Sequence, residues 1–364
     1  MRQAFLGLLA LGLMAASGLA QARAAEGKRT FFPAPAQQAR VLNLTAATDL
    51  EAMAPLIRGF QKTAPDVAVD FRDMVTNDLF EKAERACAEQ RPEADLLISS
   101  AVDQLVALAN DGCVLAHRSR ETSALPAWAN WRDEVFGFSF EPAVIVYDSR
   151  HVPPEDVPES HAALADLLRL KPDRYRGKIG TYDISKSAIG YLLAFYDSQQ
   201  APMTYGRLLE SFGRAGTLTR CCNKDVLDAL EDGRIEIAYN VLGGYAYAFH
   251  LQHPYLRVVV PHDYTIVLSR GMVIPKQAAQ PDLARRFVDY LLSAEGRAVT
   301  DRQAFYFSAA NPLPDDVTGP KALMASGIGR PIAIGSALLA ARDRAQRERF
   351  IAGWVDVIGP GQSR

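Results

Sequence analysis

The sequence predicts an α/β protein in which short apolar strands alternate with amphipathic helices. Between residues 40 and 98, three strands alternate with two helices, and the same order returns from residue 178 onward. This alternation is typical of a largely parallel sheet. The chain has 364 residues, which is too long for one ordinary core and suits two lobes of about 100 to 200 residues each.

Apolar runs and turn signals define the first elements. Residues 40–44, 67–71 and 94–98 read as strands. The first strand leads through a threonine-rich loop into a helix, where Thr48 and Glu51 have the spacing of a capping box. The first third therefore reads as a βαβαβ segment.

The middle and the end of the chain repeat this plan with new elements. Further strands are expected at 136–147, 178–182, 236–239, 257–260 and 265–275. Further helices are expected at 188–198, 224–231, 281–302 and 337–354. Asn223 is expected to cap the helix 224–231, and the helix 337–354 is expected to pack on the first lobe.

The first 24 residues have the pattern of a cleavable signal peptide. Arg2 precedes the apolar run 4–16, and Ala22–Ala24 gives the small-x-small pattern at which signal peptidase cuts. We therefore expect residues 1–24 to be a signal peptide and the mature protein to lie in the periplasm. Residues 25–39 are rich in proline and alanine and are expected to form an irregular N-terminal arm.

Charge and motifs exclude several classes of function. Without the leader, acidic residues exceed basic ones by four, so neither nucleic acid nor a membrane surface is an expected partner. The sequence holds no G-x-S-x-G elbow and no H-E-x-x-H helix, so a hydrolase is not favoured and we expect no enzymatic activity.

Export permits disulfides among the four cysteines. Cys87 and Cys113 are near enough in sequence to pair within one lobe. The adjacent Cys221 and Cys222 fit a disulfide, two buried thiols or a site for a soft metal or metalloid. No third ligand stands at zinc-finger spacing, which disfavours the metal site.

Several segments resemble the extracellular solute-binding proteins of ABC transporters. They are the opening strand with its threonine loop, residues 95–100, residues 144–147 and the segment 287–296. The similarity runs from about residue 41 to about residue 314. Within this superfamily the chain looks like the branch that includes ferric-ion-binding proteins and the hexose-phosphate and phosphoglycerate-associated binding proteins.

The resemblance implies a type II clamshell of two lobes with mostly parallel sheets, joined by hinge strands. Lobe one would comprise residues 40–140 and 264–364, including the C-terminal helices, and lobe two residues 141–263. A small ligand would bind in the cleft between the lobes. The implied partner is an ABC permease or, alternatively, the periplasmic domain of a sensor kinase, with the protein a monomer and no cofactor.

Polar loops at the carboxyl ends of strands predict where the ligand binds. Helix N-termini gather there and offer free N–H groups and partial positive charge, which suits an anion carrying phosphate or carboxylate. The segment Ser185–Ser187 combines hydroxyls, amides and a lysine at one helix start, and in ferric-ion-binding relatives the matching helix start holds the synergistic anion. The expected ligand-binding residues are Thr45, Thr48, Asn77, Ser99, Ser185, Lys186, Ser187, Asn240, Tyr245 and Asp263.

These assignments compete with structural roles. A threonine or serine at a helix start often serves only as a cap, and Asp263 fits a hinge as well as a cleft. Candidate counter-charges for the anion are Lys186, Arg220, Lys224 and Arg270.

The tyrosines argue against ferric iron. Iron-binding members place two neighbouring tyrosines after a strand. Here Tyr245 and Tyr247 are two positions apart on a predicted helix and diverge by about 200°. We therefore expect a small organic anion and no bound metal, with a ferric-ion-binding protein as an alternative.

Overall fold

The computed structural model describes residues 27–304 and 320–359, which form two α/β lobes, each built on one mixed sheet. The strands are β1 (Lys28–Phe32), β2 (Arg40–Ala46), β3 (Val67–Asp73), β4 (Leu96–Ser99), β5 (Val114–Leu115), β6 (Asn130–Trp131), β7 (Val135–Gly137), β8 (Glu141–Asp148), β9 (Ile179–Tyr182), β10 (Leu218–Arg220), β11 (Ile237–Leu242), β12 (Leu256–Val259), β13 (Thr265–Leu268), β14 (Gly271–Pro275) and β15 (Gly329–Pro331).

The α-helices are α1 (Leu50–Thr63), α2 (Thr76–Ala88), α3 (Val102–Asn110), α4 (Arg120–Ser123), α5 (His161–Leu170), α6 (Ala188–Gln200), α7 (Pro202–Ala215), α8 (Asn223–Glu231), α9 (Gly243–Gln252), α10 (Pro281–Leu292), α11 (Ala294–Val299), α12 (Pro320–Ala325), α13 (Leu338–Arg342) and α14 (Arg344–Ile358). Short 3-10 turns occur at Ala127–Ala129 and Pro154–Asp156, and a π-turn at Thr300–Ala304.

Lobe one is built on a sheet with strand order β1-β3-β2-β4-β14-β7-β6, with β5 paired to β14. Helix α1 buries the apolar face that the sequence pattern predicts. Phe60 packs against Phe287 of α10 with ring centroids 4.8 Å apart, and both side chains are buried. The apolar spacing along α1 thus fixes which side of the helix faces the sheet.

Lobe two is built on a sheet with strand order β10-β9-β11-β8-β13-β15, with β12 paired to β8. Helices α5 to α9 cover this sheet. Its central strands β8 and β11 are almost fully buried, which explains their continuous apolar sequence.

Two apolar runs predicted as single strands each divide between the lobes. Residues 136–147 form β7 in lobe one and β8 in lobe two, and residues 265–275 form β13 in lobe two and β14 in lobe one. A periodicity argument cannot show such a division because both halves are apolar and buried. The second crossing therefore falls between β13 and β14, later than the expected lobe boundary at residue 263.

The expectation of mostly parallel sheets is wrong. Pairs β2–β3, β2–β4, β9–β10, β9–β11 and β13–β15 are parallel, but antiparallel pairs are more numerous. Strand β8 is antiparallel to β11, β12 and β13, and strand β14 is antiparallel to β4, β5 and β7. The alternation of strand and helix therefore predicts only the parallel segments β3-β2-β4 and β10-β9-β11.

Three local predictions are also wrong. The arm 25–39 is not irregular at Lys28–Phe32, which pairs antiparallel with β3 and extends the sheet of lobe one. Thr48 does not cap α1, whose N-cap is Asp49, and its hydroxyl accepts a hydrogen bond from Arg270. Asn223 is the first residue of α8, not its cap, and its amide oxygen accepts from the backbone N–H of Leu242.

The C-terminal helices do not pack on lobe one alone. Tyr191 of α6 donates a hydrogen bond to the carbonyl of Ala341 at 2.8 Å, and Phe350 of α14 stacks on Tyr205 of α7. Helix α13 contacts lobe one, where Arg342 lies over the ring of Phe80. The C-terminal segment therefore braces both lobes, which local sequence patterns do not reveal.

The predicted disulfide between Cys87 and Cys113 is confirmed and ties α2 to the turn before β5, with Cα atoms 5.6 Å apart. The predicted signal peptide, residues 1–24, lies outside the described residues. None of the helices in the described part of the chain combines the length and apolar character that crossing a bilayer requires.

Candidate functional site

A cleft of about 1020 Å³ separates the two lobes. Lobe one lines it with the loops after β2, β3 and β4, and lobe two with the loops after β9 and β10. The cleft therefore lies at the carboxyl ends of the parallel strands, where open α/β sheets bind their ligands.

Four helices begin at the cleft wall, two from each lobe. Asp49 and Val75 are the N-caps of α1 and α2, and Ser187 and Cys222 are the N-caps of α6 and α8. All four residues line the cleft. The first amides of a helix have no acceptor within it, so these ends direct N–H groups and partial positive charge toward the space between the lobes.

The start of α6 is the part of the site that sequence predicts best. The Ser187 hydroxyl accepts from the backbone N–H of Gly190 at 3.1 Å and so caps α6, which is the structural role that competes with ligand binding. Lys186 lines the cleft with its side chain 58% exposed, and its ammonium lies 3.3 Å from a carboxylate oxygen of Asp183. Ser185 turns its hydroxyl to that same carboxylate and does not line the cleft.

The cleft floor is organised by Arg270, whose side chain is only 1% exposed. Its guanidinium donates to both carboxylate oxygens of Glu141 and to the hydroxyl of Thr48. The guanidinium carbon lies 5.8 Å from the ring centroid of Tyr245, which comes from lobe two. Thus Arg270 links lobe one, the hinge and one wall of lobe two.

Two carboxylates of lobe one, Asp49 and Asp73, line the cleft beside these cations. Burial raises the pKa of Asp73 to about 7, with further contributions from Asp49 and Glu51. Burial also raises the pKa of Tyr245; the positive charge of Arg270 opposes this shift, and a hydrogen bond to Asp49 adds to it. The cleft therefore offers hydrogen-bond acceptors beside its cations.

Strand β1 brings two cationic residues to the cleft that the sequence analysis missed. Lys28 and Arg29 line it, and Arg29 is paired with Asp70. The sequence signal for this strand is weak, since the two aromatic residues Phe31 and Phe32 are followed directly by Pro33. Of the candidate counter-charges, Lys186, Lys224 and Arg270 line the cleft and Arg220 does not.

Of the ten predicted ligand-binding residues, Thr48, Lys186, Ser187 and Tyr245 line the cleft. Thr45 and Ser99 are buried at strand ends, where the Ser99 hydroxyl accepts from the amide of Ala101. Asn77 bridges the lobes, with its amide donating to the carbonyl of Lys186 at 3.0 Å.

The other two predicted residues make their contacts within lobe two, Asn240 in its interior and Asp263 at its surface. Asn240 lies at a bulge of β11 with φ of 60°, and its amide donates to the buried carboxylate of Asp197 at 2.5 Å. Asp263 contacts His161 at 2.8 Å, and this contact lowers the pKa of Asp263 to about 2 against the opposing effect of burial. Asp263 thus has a structural role, as the sequence analysis allowed beside ligand binding.

The tyrosine pair is arranged as its spacing predicts. Tyr245 lines the cleft, whereas Tyr247 is buried and stacks on His250 away from it. The two phenol groups therefore do not converge on one ion.

Two α/β lobes joined by crossing strands around a polar cleft define the class of two-lobed periplasmic binding proteins. Residues 42–306 match the family described as bacterial extracellular solute-binding protein, and the chain belongs to that family. Among curated proteins, none matches this chain significantly.

Solved structures agree. The substrate-binding protein of an ABC transporter from Agrobacterium tumefaciens is 32% identical, with a TM-score of 0.84 over 91% of this chain and 98% of that chain. Two others share the fold at lower identity. Iron-bound HitA from Pseudomonas aeruginosa is 17% identical, with a TM-score of 0.65 over 86% and 99% of the two chains. AfuA from Actinobacillus pleuropneumoniae, with exogenous fructose-6-phosphate bound, is 16% identical, with a TM-score of 0.66 over 88% and 98%.

The protein is thus a solute-binding protein of ABC transporters, and its family and neighbours are binding proteins. The resemblance inferred from sequence is confirmed at this level.

Proposed function

We propose that this protein captures a small organic anion, phosphorylated or carboxylated, in the interlobe cleft of the mature periplasmic form and presents it to an ABC permease. The convergence of four helix N-termini on one cleft carries this proposal. Each directs its first amide N–H groups and a partial positive charge toward the cleft, and an anion between them interacts with both lobes at once.

The side chains support the same charge. Lys28, Arg29, Lys186, Lys224 and Arg270 line the cleft, against the carboxylates of Asp49 and Asp73. The positions of Lys186 and Ser187 at the start of α6 make this end the expected seat of the phosphate or carboxylate group.

The two carboxylates indicate that the ligand also carries hydrogen-bond donors. Asp49 and Asp73 lie in lobe one, across the cleft from α6, and accept hydrogen bonds when ionised. A hydroxylated anion, such as a sugar phosphate, satisfies both the amides and these acceptors. The fold accommodates such a ligand in AfuA, whose structure holds fructose-6-phosphate.

Binding to both lobes gives a transport mechanism. A ligand that contacts both walls favours the closed arrangement by its differential affinity for it, and the closed shape is what a permease would recognise.

A thermal-shift screen of the purified mature protein tests the ligand class. The panel contains sugar phosphates, phosphoglycerates, dicarboxylates, tricarboxylates, inorganic phosphate and ferric citrate. A ligand at 100 times its dissociation constant stabilises the folded protein by about 2.7 kcal/mol, so a true ligand raises the melting temperature in a concentration-dependent way.

Lys186→Ala should weaken the response to the anion, whereas Lys62→Ala, at an exposed position on the far end of α1, should not. A melting temperature that no anion changes, or one that ferric ion alone raises, would contradict the proposal.

A further inference from the structure

The wall of the cleft in lobe two carries a cluster of metal-ligating side chains. Cys221 and Cys222 lie directly before α8, and Asp225 lies on its first turn. Their sulfur and carboxylate atoms are all within 4.8 Å of one another, and the three side chains are half-buried. A carboxylate oxygen of Asp225 is 3.1 Å from Cys221 Sγ.

The two cysteines form a vicinal disulfide, which can be reduced to a dithiol. A dithiol reductant transfers two electrons and two protons to the pair and is itself oxidised to a disulfide. Both cysteines line the cleft and are only half-buried, so the pair lies on a path open to small reductants and ions. Cys222 is also the N-cap of α8.

We propose that the reduced pair, together with Asp225, binds one divalent d10 cation, Zn²⁺ or Cd²⁺, in the wall of the cleft. Two metal–sulfur bonds form as the two thiols release two protons to solvent, and the Asp225 carboxylate supplies an oxygen ligand. Reduction frees the two sulfurs from each other, and metal–sulfur distances of about 2.3 Å with a metal–oxygen distance of about 2.1 Å let one ion contact both of them and the Asp225 carboxylate, whose oxygen is 3.1 Å from Cys221 Sγ.

The third ligand is the feature that sequence spacing alone did not provide. Asp225 follows Cys222 by three residues, which on the first turn of a helix returns its side chain to the level of the cap. The neighbouring Lys224 pairs with Asp228 at 2.7 Å, one turn further along. Tetrahedral coordination then leaves a fourth position on the cleft side, for water.

This site lies in lobe two alone, so it does not depend on the proposed organic ligand. The test uses the mature protein without any organic anion. The protein is reduced with a phosphine under anaerobic conditions, its thiols are counted, and it is titrated with Cd²⁺ while the ultraviolet thiolate-to-cadmium absorption is recorded. Zn²⁺ is then added as a competitor.

The reduced protein should bind one equivalent of Cd²⁺ and release it only to a large excess of Zn²⁺, because thiolates prefer the softer ion, and the oxidised protein should bind none. Cys221→Ser combined with Cys222→Ser should abolish this equivalent, and any signal that remains reports Cys87 and Cys113. Asp225→Asn should keep the thiolate absorption but weaken the affinity, whereas Asp228→Asn serves as the matched control and should not. The melting temperatures of the variants without metal establish that they are folded.

Two results would overturn the site. One is the absence of Cd²⁺ uptake by wild-type protein whose thiols are shown to be free. The other is equal uptake by the double serine variant.

Discussion

Arg270 and Glu141 form a fully buried ion pair at the point where the two crossings between the lobes lie side by side. Nε of Arg270 lies 3.1 Å from one carboxylate oxygen of Glu141, and the side chains are 1% and 0% exposed. Glu141 begins β8 and Arg270 immediately precedes β14. Because Arg270 also holds Thr48 at 2.5 Å, the hinge and the cleft floor share one charged group.

Glu141→Gln should therefore destabilise the protein strongly. It leaves the Arg270 guanidinium buried without a counter-charge, and breaking a buried pair in this way costs about 3 to 5 kcal/mol. Urea unfolding measures the loss. Glu155→Gln, at an exposed position, is the control. A loss below about 1 kcal/mol would show that the pair does not stabilise the hinge.

Asn77→Ala should weaken ligand binding without removing any group from the cleft lining. Asn77 donates across the lobes to the carbonyl of Lys186 and accepts from Gln104 at 2.8 Å, so it stabilises the arrangement in which the lobes touch. One hydrogen bond contributes about 0.5 to 1.5 kcal/mol, which corresponds to a 2- to 12-fold weaker affinity. Titration calorimetry with the best anion of the screen measures it, and Asn110→Ala, at the exposed end of α3, should bind as the wild type does.

The stability of the ligand-free protein should depend on pH through Asp73. Its pKa is about 7 in the folded protein, raised by burial, and about 4 in an unfolded chain. Between these values the folded state binds more protons, so the free energy of unfolding falls as pH rises from about 4 to 7.

Asp73→Asn removes this contribution. The free energy of unfolding of the variant minus that of the wild type should be more positive at pH 8 than at pH 5. Urea unfolding at both pH values measures this difference. Asp173→Asn, whose side chain is 93% exposed, should show no such difference. A difference between the Asp73 variant and the wild type that is independent of pH would contradict the assignment.

The two cysteine pairs should differ in their effect on stability. Cys87 and Cys113 are 26 residues apart, and a cross-link over a loop of this length stabilises by about 3 to 4 kcal/mol through the entropy of the unfolded chain. Cys221 and Cys222 are adjacent and close no loop of consequence. Replacing the first pair with alanine should lower the melting temperature clearly, and replacing the second with serine should change it little. Equal effects would contradict this reasoning.

The features that the sequence predicts correctly depend on residues that are close together in the chain. The apolar face of α1, the serine cap of α6 and the pairing of Cys87 with Cys113 each depend on residues that are near in sequence. The divergence of Tyr245 and Tyr247 likewise follows from helical spacing alone.

The features that sequence missed depend on distant partners. Thr48 has the sequence pattern of a helix cap, but its hydroxyl accepts a hydrogen bond from Arg270, which is more than 200 residues away in the chain. Strand β1 forms because β3 offers an open edge, and its own sequence is a weak strand signal. Helix α14 packs on α7 through Phe350, a contact that no periodicity predicts.

A structure of the protein with the best anion of the screen tests the central claim most directly. The account predicts the phosphate or carboxylate group within hydrogen-bond distance of the amides at the start of α6, near Ser187, with contacts to lobe one on the opposite side. An anion bound outside the interlobe cleft, or one that contacts only one lobe and no helix N-terminus, would contradict it.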